Sequence, residues 1–167
     1  MAKRAVENLC SSYAEQFGLR IMGARLTQIT GAGVSQSDNR VITLFSRLAA
    51  MGEDIVLHTT GESSRPYCYT TDAVAAILYV LLKGVSGNVY NIANSETFIS
   101  VHDLAYFIKD NFASQINVRI EIPEVDMGYA PISILDLDTT KIQNLGWKPK
   151  VGLYDMLNRL ISYYQNV

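Results

Sequence analysis

Ala2, Val6, Leu9, Cys10, Tyr13 and Phe17 recur at spacings of three and four, which predicts an amphipathic helix over 2–17. Gly18 follows it, a residue type that ends helices in the left-handed conformation. No Ser, Thr, Asp or Asn precedes the first periodic residue, so the first-turn N–H groups have no cap in this sequence. The chain reads as though it begins inside a helix.

The same pattern continues downstream as alternating strands and helices. LRIMGARL (19–26) reads as a strand, VITLFSRLAAM (41–51) as a helix and DIVLH (54–58) as a short strand. GESSRPYCY (61–69) joins turn residues to an aromatic, strand-like end. TDAVAAILYVLLKG places Asp72 as an N-cap and Gly84 as a stop, and the helix between is apolar on every face, which predicts burial on most sides. NVYNIA (88–93) and VRIEI (118–122) read as strands. Ser100-Val101-His102-Asp103 resembles a capping box with Asp in place of Glu, and Leu104, Ala105, Ile108 and Phe112 stripe the helix behind it. Asp138 is placed to cap a short helix ending at Gly146, and Leu153, Leu157, Leu160 and Tyr164 line a last one. Alternation of this kind predicts an α/β protein with parallel strands.

Composition narrows the functional classes. Charged residues are 18% of the 167, below the usual share of about 25%, which hints at surface that something else covers. A net charge of −2 supplies no basic field for nucleic acid. The longest aliphatic run, AVAAILYVLL (73–82), is too short to span a bilayer. Cys10 and Cys68 lack metal-ligand spacing and read as free thiols in a reducing compartment. With no secretory signal visible, a cytoplasmic location without membrane attachment is expected.

Candidate chemistry is sparse. Thr30-Gly31-Ala32-Gly33 follows a strand and invites a dinucleotide-loop reading, but Gln36 stands where the third glycine belongs, and SQSDNR is turn-like rather than helical. A plain glycine turn is the better reading. His58 and His102 have no partners at metal spacing, there is no G-x-S-x-G elbow, and Cys10 reads as packing. Two arginines stand out: Arg40, just before a helix, and Arg65, between turn residues and an aromatic strand. Both are candidates to face an anionic ligand, because a guanidinium meets two oxygens at once.

Taken in order, five fragments resemble the C-terminal half of an extended short-chain dehydrogenase/reductase, of the NAD-dependent epimerase/dehydratase family that modifies nucleotide sugars. Lys3-Arg4-Ala5-Val6-Glu7 matches the end of the family's Tyr-x-x-x-Lys helix. Arg25-Leu26-Thr27-Gln28-Ile29-Thr30-Gly31-Ala32 follows its next strand. Gly61 to Asp72, through Arg65 and Tyr67, follows its Gly-x-x-x-x-Arg-x-(Phe or Tyr) segment. Val89-Tyr90-Asn91-Ile92 and the Asp138-x-x-Lys141 ending with Leu145-Gly146-Trp147 complete the set.

The resemblance implies the C-terminal part of a Rossmann-like parallel sheet plus a small α/β substrate-binding lobe. Residues about 1–40 and 67–93 would belong to the Rossmann core, and about 41–66 and 94–167 to the lobe. It implies Lys3 as the catalytic lysine that binds the nicotinamide ribose and lowers the pKa of a tyrosine four residues earlier. That tyrosine would lie two residues before the first residue of this sequence, and the Gly-rich cofactor half would lie further upstream. It implies Lys3, Leu26 and Thr27 at the cofactor, Gln28, Arg40, Arg65 and Tyr67 at the substrate, and no metal. NAD or NADP would serve the complete enzyme, with no tight binding by this chain alone. The implied partners are a nucleotide-diphosphate sugar and a second copy docked through helix 2–17.

Departures from the pattern shift the weight among these residues. Gln28 replaces the usual Asn, Thr70 the usual Val and Pro66 the common Asp, and MGYAPISILDLD (127–138) lacks the family's second diphosphate arginine. Diphosphate recognition would therefore rest on Arg65, with Arg40 as a substitute. The expected function is the nucleotide-sugar-binding half of an epimerase, dehydratase or reductase, inactive alone. The alternative is a non-catalytic nucleotide-sugar-binding or interaction module from a split or decayed gene.

Overall fold

The computed structural model describes residues 2–125, 128 and 130–167. In chain order the elements are α1 (Ala2–Phe17), β1 (Gly23–Leu26), β2 (Gln28–Thr30), α2 (Val41–Met51), β3 (Ile55–Leu57), β4 (Ser64–Tyr69) and α3 (Thr70–Lys83). Then follow β5 (Val89–Ile92), β6 (Asn94–Ser100), α4 (Val101–Phe112), β7 (Val118–Ile120), α5 (Thr140–Gln143) and α6 (Leu153–Gln165). The α/β alternation holds. Among the described residues the strands pair as three small sheets: β1–β5 parallel, β3–β7 parallel, and β2–β4–β6, in which β2–β4 is parallel and β4–β6 antiparallel.

Two core clusters hold these layers. The larger gathers Ile42, Phe45, Leu104, Ile108, Met156 and Leu157 where α2, α4 and α6 pack together. Their apolar positions recur at helical spacing, so each helix buries one stripe. α4 starts as its sequence indicates: the Ser100 hydroxyl accepts the Asp103 N–H at 2.9 Å, a cap worth about 1 kcal/mol. The reciprocal half of the box is absent, because the Asp103 carboxylate lies on His102 Nδ1 instead. The smaller cluster joins β5 and α3 to Ile142 and Trp147.

Several expectations are corrected. The strand expected over 19–26 begins only at Gly23. Asp72 is not an N-cap but lies inside the first turn of α3, where its buried Oδ2 accepts the Lys150 and Val151 N–H groups at 2.9 Å each. α3 is not buried on most sides either. Only Asp72, Ala73, Ala76 and Val80 are buried, while Val74, Ile77, Leu78, Leu81 and Leu82 are between 43% and 72% exposed. α3 packs against β1, β2, β4, β5 and α5, and the apolar residues turned away from these elements stay exposed. Strand β6 has no counterpart in the sequence pattern.

The glycine turn after β2 has a packing cause. A Cβ on Gly31 would lie 2.7 Å from Thr70 Oγ1, so glycine lets the chain pass under the start of α3. No helix starts until Val41. The phosphate-loop likeness there is therefore only superficial.

Candidate functional site

Parallel pairing of β2 with β4 sets Gln28 beside Tyr67 and carries the chain from Leu26 to Ile29 along one wall of a shallow cleft. Arg40, at the start of α2, and Arg65, on β4, complete that wall with Leu135. Leu135 arrives from a segment far along the chain. It is fixed by Ser64 N–H donating to Ser133 O and Leu135 N–H donating to Ser64 O, both at 2.9 Å. The cleft encloses about 470 Å³.

Its two guanidinium groups differ in state. Arg40 Nε and Nη2 donate to the Asp38 carboxylate, with the closest pair at 2.5 Å, and Nη1 donates to Ile29 O at 2.8 Å. The bond from Arg40 holds the Asp38 carboxyl below the usual carboxylate range, and Asp38 in turn raises Arg40 above its ordinary value. Arg40 is thus neutralised within the protein. Arg65 is half-buried and has no ion pair or side-chain hydrogen bond among the described residues. It is the uncompensated cation of this cleft.

A second and larger cleft, about 710 Å³, lies between α1 and the β1–β5 pair. Lys3, Glu7 and Cys10 line it from α1, and Arg25, Leu26, Val89 and Leu137 from the other side. Glu7 and Arg25 form a bidentate pair, at 2.6 and 2.5 Å, that ties the helix to β1. That bond lowers the Glu7 pKa and raises that of Arg25. Lys3 has no carboxylate partner among the described residues. Leu26 and Leu135 line both clefts, so the two sites share a wall.

The expected site residues separate accordingly. Gln28, Arg40 and Arg65 come together, and Lys3 and Leu26 line the neighbouring cleft. Thr27 lies on the arginine cleft rather than the Lys3 cleft, and its hydroxyl donates to Pro66 O at 2.5 Å. Tyr67 lines neither cleft. It is 1% exposed, packed in the larger core, and burial pushes its phenol up to about 12 against the opposing pull of the Arg65 cation. Between Arg65, paired with Ile99, and Tyr67, paired with Asn94, the register shifts because β6 carries residues 95–98 opposite Pro66 alone, and the larger core covers Tyr67. Cys10 lines the Lys3 cleft and belongs to neither core cluster, so it does not pack as expected. Residues 127 and 129 of the segment lacking a second arginine lie outside the described residues.

Leu135 is not singled out by its sequence context. The apolar positions of PISILDL (131–137) are the signal that could have found it, since near-alternation marks a strand. Among the described residues, no group of three or more His, Cys, Asp or Glu is placed to hold a metal, and no helix is long and apolar enough to cross a membrane.

Comparison with known proteins bears on family and fold. The NAD dependent epimerase/dehydratase family matches residues 1–93. UDP-glucuronic acid decarboxylase 1 of Danio rerio is 28% identical over 165 residues, covering 97% of this chain and 38% of the relative. dTDP-D-glucose 4,6-dehydratase of Homo sapiens is 30% identical over 175 residues, covering 98% and 47%. The chain therefore spans less than half the length of these two enzymes. A crystal structure of UDP-glucose 4-epimerase with UDP-glucose, from Thermotoga maritima, superposes with a TM-score of 0.85 at 26% identity, over 99% of this chain and 52% of that one. A Pseudomonas aeruginosa structure complexed with NADPH has a TM-score of 0.80 at 23% identity, over 98% of this chain and 55% of that one, which speaks for the Rossmann-like fold alone. With more than half of its residues inside the family match and its α/β fold shared across nearly its whole length, the chain belongs to the NAD dependent epimerase/dehydratase family.

Proposed function

We propose that this chain is the nucleotide-sugar-binding half of an NAD(P)-dependent epimerase, dehydratase or reductase, with the diphosphate taken at the arginine cleft. The observation that carries the reading is Arg65, a half-buried cation without a partner among the described residues, in a cleft that a neutralised Arg40 also lines. A guanidinium left unpaired in a concave site fits a ligand that brings its own negative charge. The relatives' names, with their UDP and dTDP sugars, support a nucleoside diphosphate as that ligand.

The Lys3 cleft suits the nicotinamide end of a cofactor. Its walls carry Ala2, Val6, Ile21 and Val89 for a ring, and the ammonium of Lys3 is available to a ribose hydroxyl. When bound, NAD(P) takes and returns hydride. This chain would orient the ribose through Lys3 and hold the sugar beside it across the Leu26–Leu135 wall. In this reading 1–40 and 67–93 serve the cofactor side, and 41–66 and 94–167 the substrate lobe. These 167 residues contain no Gly-rich cofactor loop, so by themselves they are expected not to turn substrate over.

Calorimetry on the 167-residue protein tests both halves of the reading. Uridine or thymidine diphosphate is expected to bind, while NAD binds undetectably and UDP-sugars are not converted. Nucleotide-sugar turnover, tight NAD binding or failure to bind either diphosphate would overturn it.

Helix α1 supports a second copy as partner. Val6, Leu9, Tyr13 and Phe17 stand at 50% to 58% exposure, and no residue of α1 is buried. Apolar strips of that size favour association. Sedimentation should show concentration-dependent dimers that the double change Leu9→Glu, Phe17→Glu converts to monomer. A clean monomer of the unchanged chain at high concentration would count against it.

A further inference from the structure

Arg47 lies seven residues after Arg40, two turns on and along the same flank of α2. It is half-buried and lines neither cleft. Its Nη1 donates to Gln36 O and, at 3.0 Å, to Asp38 O, and its Nη2 donates to Asn39 Oδ1 at 3.0 Å. Three acceptors within residues 36–39 are thus drawn onto one guanidinium. That segment belongs to neither helix nor strand, and its other ties run mostly to the neighbouring Ser35: Asp38 N–H to Ser35 O at 3.0 Å, Ser37 N–H to Ser35 Oγ at 3.3 Å and the two serine hydroxyls at 2.9 Å, with the Tyr164 hydroxyl on Ser35 O at 3.5 Å.

The held segment includes Asp38, and Asp38 grips Arg40. One carboxylate accepts the Arg40 backbone N–H at 2.9 Å and both Nε and Nη2 of its side chain. The direction of the Arg40 fork is therefore set by Asp38, whose own backbone carbonyl is fixed by Arg47. We propose that Arg47 is a positioning residue for the diphosphate cleft, acting at a distance through the 36–39 segment and Asp38 to aim Arg40. This inference rests on the nucleotide-diphosphate reading above. Release of the segment would let the Arg40 side chain leave Ile29 O and the cleft wall together with Asp38, although no cleft residue is substituted.

A double-mutant cycle on the 167-residue protein, read as uridine diphosphate affinity by calorimetry, tests it. Arg47→Met keeps the aliphatic stem and removes the three bonds. It is expected to weaken binding about three- to tenfold, and to weaken it no further once Arg40→Met is present, since the effect passes through Arg40. Arg47→Lys, with one compact ammonium for three spread acceptors, should fail to rescue affinity and serves as the second variant if Arg47→Met does not fold. Equal losses in both backgrounds, or no loss with Arg47→Met or Arg47→Lys, would overturn the proposal. If Arg65→Lys weakens binding while the Arg47 variants do not, only this inference falls. Should the unchanged chain not bind uridine diphosphate, this inference falls with the reading it rests on.

Discussion

Replacing Trp147 by alanine should lower the stability of the chain by about 3–5 kcal/mol, the usual loss when a buried aromatic is truncated in a core. Trp147 is 2% exposed and belongs with Ala73, Ala76, Val80 and Ile142 to the smaller cluster. Its indole N–H donates to Asp72 O at 3.1 Å, and the Asp72 carboxylate takes the Lys150 and Val151 N–H groups from the other side. This double connection fastens the 144–152 segment to the start of α3, and α6 follows directly behind it. A total stability of about 5–15 kcal/mol is typical of a native protein, so the loss would consume a large share. The melting temperature should fall on the order of 10 °C. Trp147→Phe retains most of the apolar area and loses one hydrogen bond, so its cost should be nearer 1 kcal/mol, on the order of one such bond. Asp72→Asn should be mild, since both N–H groups meet a single oxygen, Oδ2, that an amide carbonyl can replace. An unchanged melting temperature in Trp147→Ala would show that the indole does not fasten this junction.

Legibility from sequence follows the physics of each element. α2 is readable to its last residue because its stripe is apolar at helical spacing and nothing competes with it. β6 is unreadable because its inward positions are polar: Asn94 and Thr97 are buried, whereas Phe98 is 40% exposed. Those polar side chains are satisfied by distant groups. Asn94 Nδ2 donates to Val151 O at 3.0 Å, and the Thr97 hydroxyl accepts the Tyr67 N–H at 2.8 Å. No local pattern announces such partners. The exposed face of α3 misleads for a related reason, since an apolar helix tells how much surface needs covering but not how much cover this chain brings.

The arginine cleft is half legible. Arg40 and Arg65 can be named singly, but their meeting depends on β2–β4 register and on the bridge between Ser64 and Ile134, both long-range facts. Tyr67 shows the limit most clearly. Two residues from Arg65, it would share the cleft in a regular pairing, yet the β4–β6 register shifts between the two residues and Tyr67 is buried in the core. That shift comes from residues 95–98 of β6, about thirty positions away, which the sequence around Tyr67 does not announce.

Arg65→Lys should weaken nucleoside-diphosphate binding by about 1–3 kcal/mol, the range for a hydrogen bond to a charged group, while leaving the fold intact. The two cations of the cleft differ in what they have left to give. Arg40 already meets Asp38 with Nε and Nη2 and Ile29 O with Nη1, so a ligand oxygen gains less from it than from Arg65. Arg65 has none of these commitments among the described residues, and its fork is free to meet two oxygens. Lysine preserves the charge but presents a compact ammonium in place of the fork, so the loss isolates bidentate geometry from plain attraction. Arg65→Met removes both and should cost more, with a weaker dependence of the remaining affinity on salt. A residue that only stiffened the turn before β4 would behave otherwise: Arg65→Lys would lower the melting temperature and leave the affinity for uridine diphosphate where it was. That second pattern, seen in parallel calorimetry and thermal unfolding, would remove Arg65 from the site.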